Sequence, residues 1–214
     1  MALTFRGEAE ETDRLVALSD GVVAIAITLL VLDFSVPEVP PGTPSATVER
    51  LVFDQWDEFV GYALGFLVIG LYWTLHRRIF VHIEAHDRGV VWLNLVFLLF
   101  VAFVPFGTSV FSAHPNRFGV SFIAGVLALT GLTLAFLWVY ASRRQLLEAG
   151  LASRAVRIQA ARFLVSPLVF AASIGVAALD SAWGIATWTL LIPINAALNS
   201  QLVESVETAS RTGK

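Results

Sequence analysis

The run from Arg14 to Leu32 constrains the chain most: it is apolar and long enough to cross a bilayer, yet it opens on an arginine and holds Ser19 and Asp20 within its first turns. A spanning helix needs about 20 mostly apolar residues. An ionisable side chain inside one costs about 3 kcal/mol on insertion scales, so Asp20 calls for a partner or a function. At about 100° per residue, Ile25, Leu29 and Leu32 fall on one stripe, continued by Leu18 and Val22. Asp20, Ala24, Ile27 and Val31 fall nearly opposite, and Thr28 lies at the margin of the first stripe. Two arrangements fit this pattern. Either the Ile25 stripe faces an axis with Asp20 set in protein behind it, or the stripe meets lipid and Asp20 is buried in a bundle. An apolar stripe taken alone favours the second.

The rest of the chain has the same character. Of its 214 residues 57% are hydrophobic and 14% charged, against about 25% charged in soluble domains. Mean hydropathy is +0.74, which excludes a sizeable soluble domain. Without cysteine there is no disulfide, thiol chemistry or cysteine metal site. Six spans are predicted, at about 14–34, 59–76, 89–111, 118–140, 158–179 and 182–202, forming one all-α, multi-pass membrane domain over residues 1–214. Residues 1–13 are polar and expected to be loose, and the first span is read as uncleaved. Pro37, Pro40, Pro41, Gly42 and Pro44 end the first span. Residues 47–58 suit a short interfacial helix. Gly61 and Gly65 permit close helix contact. Pro105, Pro167 and Pro193 predict bends. No internal duplication is visible.

Six spans put both ends on one side. That side collects all the Lys and Arg residues except Arg50 and Arg117, so the positive-inside rule places both termini in the cytoplasm of a cell-membrane protein. The other face is acidic, with Glu38, Glu49, Asp54, Asp57, Glu58 and Asp180. These are either ordinary loop charges or a field that concentrates cations. The basic segment from Arg143 to Arg157 reads as a topology signal and an anionic-lipid contact, not as a nucleic-acid surface.

Depth along the spans gathers a polar layer. Asp20 lies six residues past Arg14 and Asn94 six past Arg88, each about 9 Å in, while Trp73 and His76 precede Arg77. Ser19, Asp20, Trp73, His76 and Asn94 therefore share a level, and Arg14, His76, Trp73 and Asn94 can supply the donors a buried carboxylate needs. The layer pins the first helix, or it forms a proton relay, which describes a proton-coupled secondary transporter. His82 and His86 stand one turn apart and bind a metal only if a third ligand arrives; solvated polar side chains are the simpler reading. No Ser-His-Asp signature, phosphate loop or paired intramembrane carboxylate appears, so no enzyme and no metal site is expected.

The residues Arg14, Leu18-Ser19-Asp20, Ala24-Ile25 and Thr28-Leu29-Leu30-Val31-Leu32 resemble the first-helix signature of the transmembrane-protein-175 family, which includes a lysosomal potassium channel and smaller prokaryotic relatives. Tyr62-Ala63-Leu64, Phe66, Gly70, Tyr72-Trp73 and His76-Arg77 extend the likeness, as do Asn94, Pro105-Phe106 and Thr108. The family pattern has Phe where Leu18 stands and frequently Ser where Gly65 stands. The resemblance implies a potassium-permeable channel without a carbonyl-lined filter. It implies a homotetramer of six-helix subunits around a pore lined by the first helix. Ile25 is then the hydrophobic constriction, Leu29 and Leu32 continue the wall, and Thr28 is a candidate for ion discrimination. The implied partners are the bilayer and monovalent cations, with no cofactor beyond the permeant potassium ion.

Overall fold

The computed structural model describes residues 2–34, 37–85, 87–148, 151, 153–191, 193–194 and 197. Among them the regular structure is helical, joined by short links, apart from an isolated antiparallel bridge between Ile83 and Leu147. The helices are α1 (Ala2–Leu29), α2 (Ser45–Phe53), α3 (Trp56–Val81), α4 (Arg88–Ala113), α5 (Arg117–Arg143), α6 (Ser153–Ala177) and α7 (Ser181–Ala186). Two 3₁₀ segments, Leu30–Asp33 and Thr187–Leu190, follow α1 and α7.

Among the described residues five helices are long and apolar enough to span a membrane: Thr12–Leu32, Gly61–Val81, Arg88–Ala113, Arg117–Arg143 and Ser153–Ala177. The chain is a multi-pass membrane protein. The expected sixth span, 182–202, opens as helix, and most of its remainder lies outside the described residues, as does His86. One expectation is corrected at the start of the chain. Residues 2–13 are not loose but continue α1 upstream, because Glu8, Glu10 and Glu11 are good helix formers and no proline interrupts them.

Side chains in the links set the helix starts. Asp87 accepts from the Val90 N–H at 3.0 Å and opens α4. Asn116 accepts from Phe118 and Gly119 N–H groups and opens α5. Asp180 does the same for α7. Each cap satisfies donors that have no partner inside their helix. The helices run unbroken through Pro105 and Pro167. Pro167 finds room because the facing residue is Gly131, where an added Cβ would come within 2.9 Å of the ring.

α5 is the hub. It buries residues all along its length between α4 and α6, while α1 and α3 close the bundle on the α4 side. Tyr72 ties α3 to α5 by donating to the Leu127 carbonyl at 2.7 Å, and its hydroxyl lies 3.3 Å from Ser166 Oγ of α6. At the end of the bundle rich in arginine the α3–α4 and α5–α6 links are joined. Glu84 N–H donates to the Leu146 carbonyl and Glu148 N–H to that of His82, beside a 2.7 Å contact between His82 Nδ1 and Glu148.

Candidate functional site

α1 meets the rest of the chain along one stripe: Ser19, Val23, Ala26 and Leu30 are buried, with exposures of 0–3%. These residues recur at the i, i+4, i+7 spacing of a helix face. They pack on α4 and α3, where Leu30 closes over Gly65 beside Thr108. Ile25 is 61% exposed and Leu32 73%, and Leu18 and Leu29 are exposed as well. Thr28 is also exposed, its hydroxyl turned back to donate to the Ile25 carbonyl at 2.9 Å. Such a bond keeps the oxygen along the helix surface, with lone pairs still free.

The packed stripe differs from the one expected to lie opposite Ile25. Ala24 and Val31 are exposed, and Asp20 lies on the flank toward α3. The reason is that Ser19, not Asp20, meets α4, which turns the helix by about one residue's rotation.

A hydrogen-bond chain holds this rotation. His76 Nε2 of α3 lies 2.8 Å from Asn94 Oδ1 of α4. Asn94 Nδ2 donates to Ser19 Oγ at 3.0 Å, and Ser19 Oγ donates to the Leu15 carbonyl at 2.8 Å. With the amide oxygen accepting, the imidazole carries its proton on Nε2. All three side chains are fully buried. The imidazole stacks on Phe97 at 5.1 Å and tilts against Phe80 at 4.5 Å. Its Nδ1 is buried without a hydrogen-bond partner. Beside this chain, Trp73 Nε1 donates to Asp20 Oδ1 at 2.7 Å. The Arg77 guanidinium lies over the same indole, 5.2 Å from its centroid, close enough for cation–π attraction.

Five of the six residues expected in the polar layer are thus brought together, and Arg14 is not. It is exposed, and among the described residues no hydrogen bond or ion pair joins it to Asp20. Six residues of helix separate the two by about 120° of rotation, so equal depth does not bring them to one face. Arg77 is the member that depth counting missed, and its signal was the i, i+4 spacing from Trp73 on one helix. Among the described residues no three His, Cys, Asp or Glu side chains converge.

Residues 14–105 match the sequence profile of the family described as endosomal/lysosomal potassium channel TMEM175. The chain is 33% identical over 188 residues to a potassium channel of Streptomyces collinus, covering 85% of this chain and 89% of that one. The chain belongs to the TMEM175 family. A potassium channel of Chamaesiphon minutus is 34% identical over 151 residues, 69% of this chain and 74% of its own. The human endosomal/lysosomal proton channel TMEM175 is 33% identical over 141 residues, 58% of this chain and 28% of its own. A crystal structure described as a lysosomal potassium-selective channel TMEM175 homolog from Chamaesiphon minutus superposes with a TM-score of 0.73 at 25% identity, covering 89% of this chain and 99% of that one. The segment matched by the TMEM175 profile holds α1 from Arg14 onward, α2, α3 and most of α4, and so every residue of the stripe and the polar layer.

Proposed function

We propose that the chain is a potassium-permeable cation channel, a homotetramer of six-helix subunits in which four copies of α1 surround one pore. Ile25 forms the constriction, Leu29 and Leu32 continue its wall, and Thr28 sets an oxygen at its margin. Ser19, Asp20, Trp73, His76, Arg77 and Asn94 hold the helix from behind. The single domain over residues 1–214 has both termini in the cytoplasm. One observation carries the reading: α1 is fastened along Ser19, Val23, Ala26 and Leu30, which leaves Ile25 and Leu32 exposed in the chain on its own. The names of the Streptomyces and Chamaesiphon relatives supply the ion.

The mechanism follows from the side chains. A ring of isoleucines cannot replace the hydration shell of an ion, so when tight it blocks by dewetting. Conduction then takes a small dilation or rotation of α1, with the ion partly hydrated, and selectivity for potassium over sodium is modest. The polar layer is the element that resists such rotation, since turning α1 withdraws Ser19 from Asn94.

The test is flux through the purified protein in liposomes. Potassium should leak down its own gradient with no proton gradient present, and Ile25→Asn should raise the leak about tenfold or more while lowering potassium-over-sodium preference. Uptake that requires a proton gradient replaces the channel with a proton-coupled carrier. An unaltered leak and preference in Ile25→Asn removes Ile25 from the constriction.

A further inference from the structure

At the end of the bundle away from the arginines, one carboxylate is set among hydroxyls. A cavity of about 250 Å³ is lined by Glu58 and Tyr62 of α3, by Thr108, Ser109 and Ser112 of α4, and by Leu30 after α1. Helix spacing builds it. Glu58 and Tyr62 stand one turn apart on α3, as Thr108 and Ser112 do on α4. Gly61 and Gly65 let the two helices meet there: an added Cβ would lie 2.8 Å from Ser112 Oγ at the first and 3.3 Å from Thr108 Oγ1 at the second. Phe34 closes one side, its ring centroid 5.4 Å from that of Tyr62.

The lining is rich in acceptors and short of donors. Glu58 Oε2 is buried and has no hydrogen-bond partner, and among the described residues Glu58 is in no ion pair. The cationic and titratable side chains of this end, Arg50, Arg117 and His114, are exposed. So are the carboxylates Glu38, Glu49, Asp54 and Asp180, while the side chains of Asp33 and Asp57 lie outside the described residues. A buried carboxylate oxygen without a donor is costly. Thr108 and Ser109 cannot relieve it, because they donate to the Val104 and Pro105 carbonyls, each at 3.1 Å, and a hydroxyl has one proton to give. The C-terminus of α4 adds the negative potential of a helix end, and the N-terminus of α3 favours the ionised form of Glu58 in its first turn. Oxygen ligands suit hard cations over transition metals. One carboxylate among neutral hydroxyls balances a single positive charge, and the cavity has room for an ion with part of its water.

We propose that Glu58 and the hydroxyls of Tyr62, Thr108, Ser109 and Ser112 bind a hard monovalent cation, potassium or sodium, between the ends of α1, α3 and α4. The site is separate from the Ile25 stripe and does not depend on that stripe lining a pore. Filling it stabilises the packing of the three helix ends.

The test is thermal unfolding of the purified full chain at constant ionic strength, in chloride salts of potassium, sodium, calcium or the bulky N-methylglucamine ion. Potassium or sodium should raise the unfolding midpoint above that in N-methylglucamine by about 5–10 °C when present at about a hundred times its dissociation constant. The ion with the larger rise is the one the site prefers. Glu58→Gln, which keeps the shape and removes the charge, should fold and lose the rise. A rise that Glu58→Gln keeps belongs to a cation held elsewhere, a pore included, and overturns the proposal without touching the flux measurements. Equal midpoints in all four salts overturn it as well. So does a midpoint in wild type that ignores the salt but moves with pH and stops moving in Glu58→Gln, since the occupant is then a proton. A larger rise in calcium than in either monovalent ion overturns the single charge. Should Glu58→Gln fail to fold, the double variant Tyr62→Phe, Ser112→Ala decides: it should lose at least half of the rise, and a full rise in it overturns the proposal.

Discussion

The part of α1 from Thr12 onward and α5 both provide an apolar stretch long enough to span a membrane, yet the chain treats them in opposite ways. Of α5's spanning window 67% is buried inside the chain, of α1's only 22%. α5 places small residues such as Ala124, Ala128, Gly131 and Ala135 in its buried surface, and these let α4 and α6 approach from two sides. α1 buries one stripe and leaves the rest of its circumference to something outside the chain. In a bilayer lipid tails are as apolar as leucine, so apolarity does not distinguish a helix that faces lipid from one that faces protein or a pore. The difference lies in how each helix is fastened. Packing on both sides holds α5, whereas packing along one stripe, with hydrogen bonds at the level of Ser19 and Asp20, sets the rotation of α1.

Substitutions that target packing and fastening separately should break the two helices in different ways. The largest loss of stability is expected at the hub. Trp138 is 2% exposed, donates from Nε1 to the Val156 carbonyl and packs its ring against Phe163. Trp138→Ala should cost about 3–5 kcal/mol of chain stability, measured by denaturant unfolding in detergent, and flux should disappear with the fold. A loss under 1 kcal/mol would deny α5 its place as the hub. The next largest is expected at the fastening. Asn94→Leu leaves the buried Ser19 and His76 without their partner and should cost about 2–4 kcal/mol. It should also free the rotation of α1, so that the variant still folded at low temperature leaks more than the wild type. Full stability in that variant would mean that α1 is held by packing alone.

Depth along a helix can be counted from a sequence, but rotation about its axis cannot. Counting from Arg14 and Arg88 puts Asp20 and Asn94 at one level, and five long apolar helices with their basic ends are legible in the same way. Which face packs is not. It was Ser19 that met Asn94, and the face followed, leaving Ala24 and Val31 exposed and Arg14 on a different side from Asp20. One residue's rotation separates these outcomes, and only the partner helix decides between them. Arg162 was illegible for a related reason: it sits in a run of mixed residues at the start of a span, and the burial of its Nε and Nη1 without a hydrogen-bond partner shows only when the neighbours are in place. The continuation of α1 up to Ala2 was hidden because polarity reads as a loop even where good helix formers such as Ala2, Leu3, Glu8, Ala9, Glu10 and Glu11 outnumber weak ones such as Gly7 and the run holds no proline.

A smaller effect, dependent on pH, marks the end of α5. Tyr140 donates to Asp87 Oδ2 at 2.7 Å, so the hub touches the cap of α4. Partial burial works to raise the Asp87 carboxyl, but the bonds from Tyr140, Val90 and Gly89 and the Arg144 charge outweigh it and hold the group below the usual carboxylate range. A carboxylate held low in the folded chain stabilises it at pH values above its unfolded pKa of about 3.9. That contribution is lost as pH falls through the lower folded value. Tyr140→Phe should therefore lower the unfolding midpoint slightly at pH 6 and by less at pH 3. An equal deficit at both would assign the loss to packing of the ring and not to the charged cap.

The smallest effect on the fold is expected where α1 is most exposed. Leu32→Ser removes a side chain that is 73% exposed, and a surface substitution of this kind shifts chain stability by no more than about 0.5 kcal/mol. Its consequence for flux depends on what the exposed face meets. Along a pore the hydroxyl rewets the wall beyond the constriction, so leak rises severalfold while the potassium preference, set at Ile25, stays as it was. Against lipid the same change leaves both leak and preference at wild-type values. Stability and flux together therefore separate the two environments that an apolar surface cannot distinguish by itself. A stability loss as large as that of Trp138→Ala would remove the contrast between the two helices altogether, because Leu32 would then be core in the way that α5 is core.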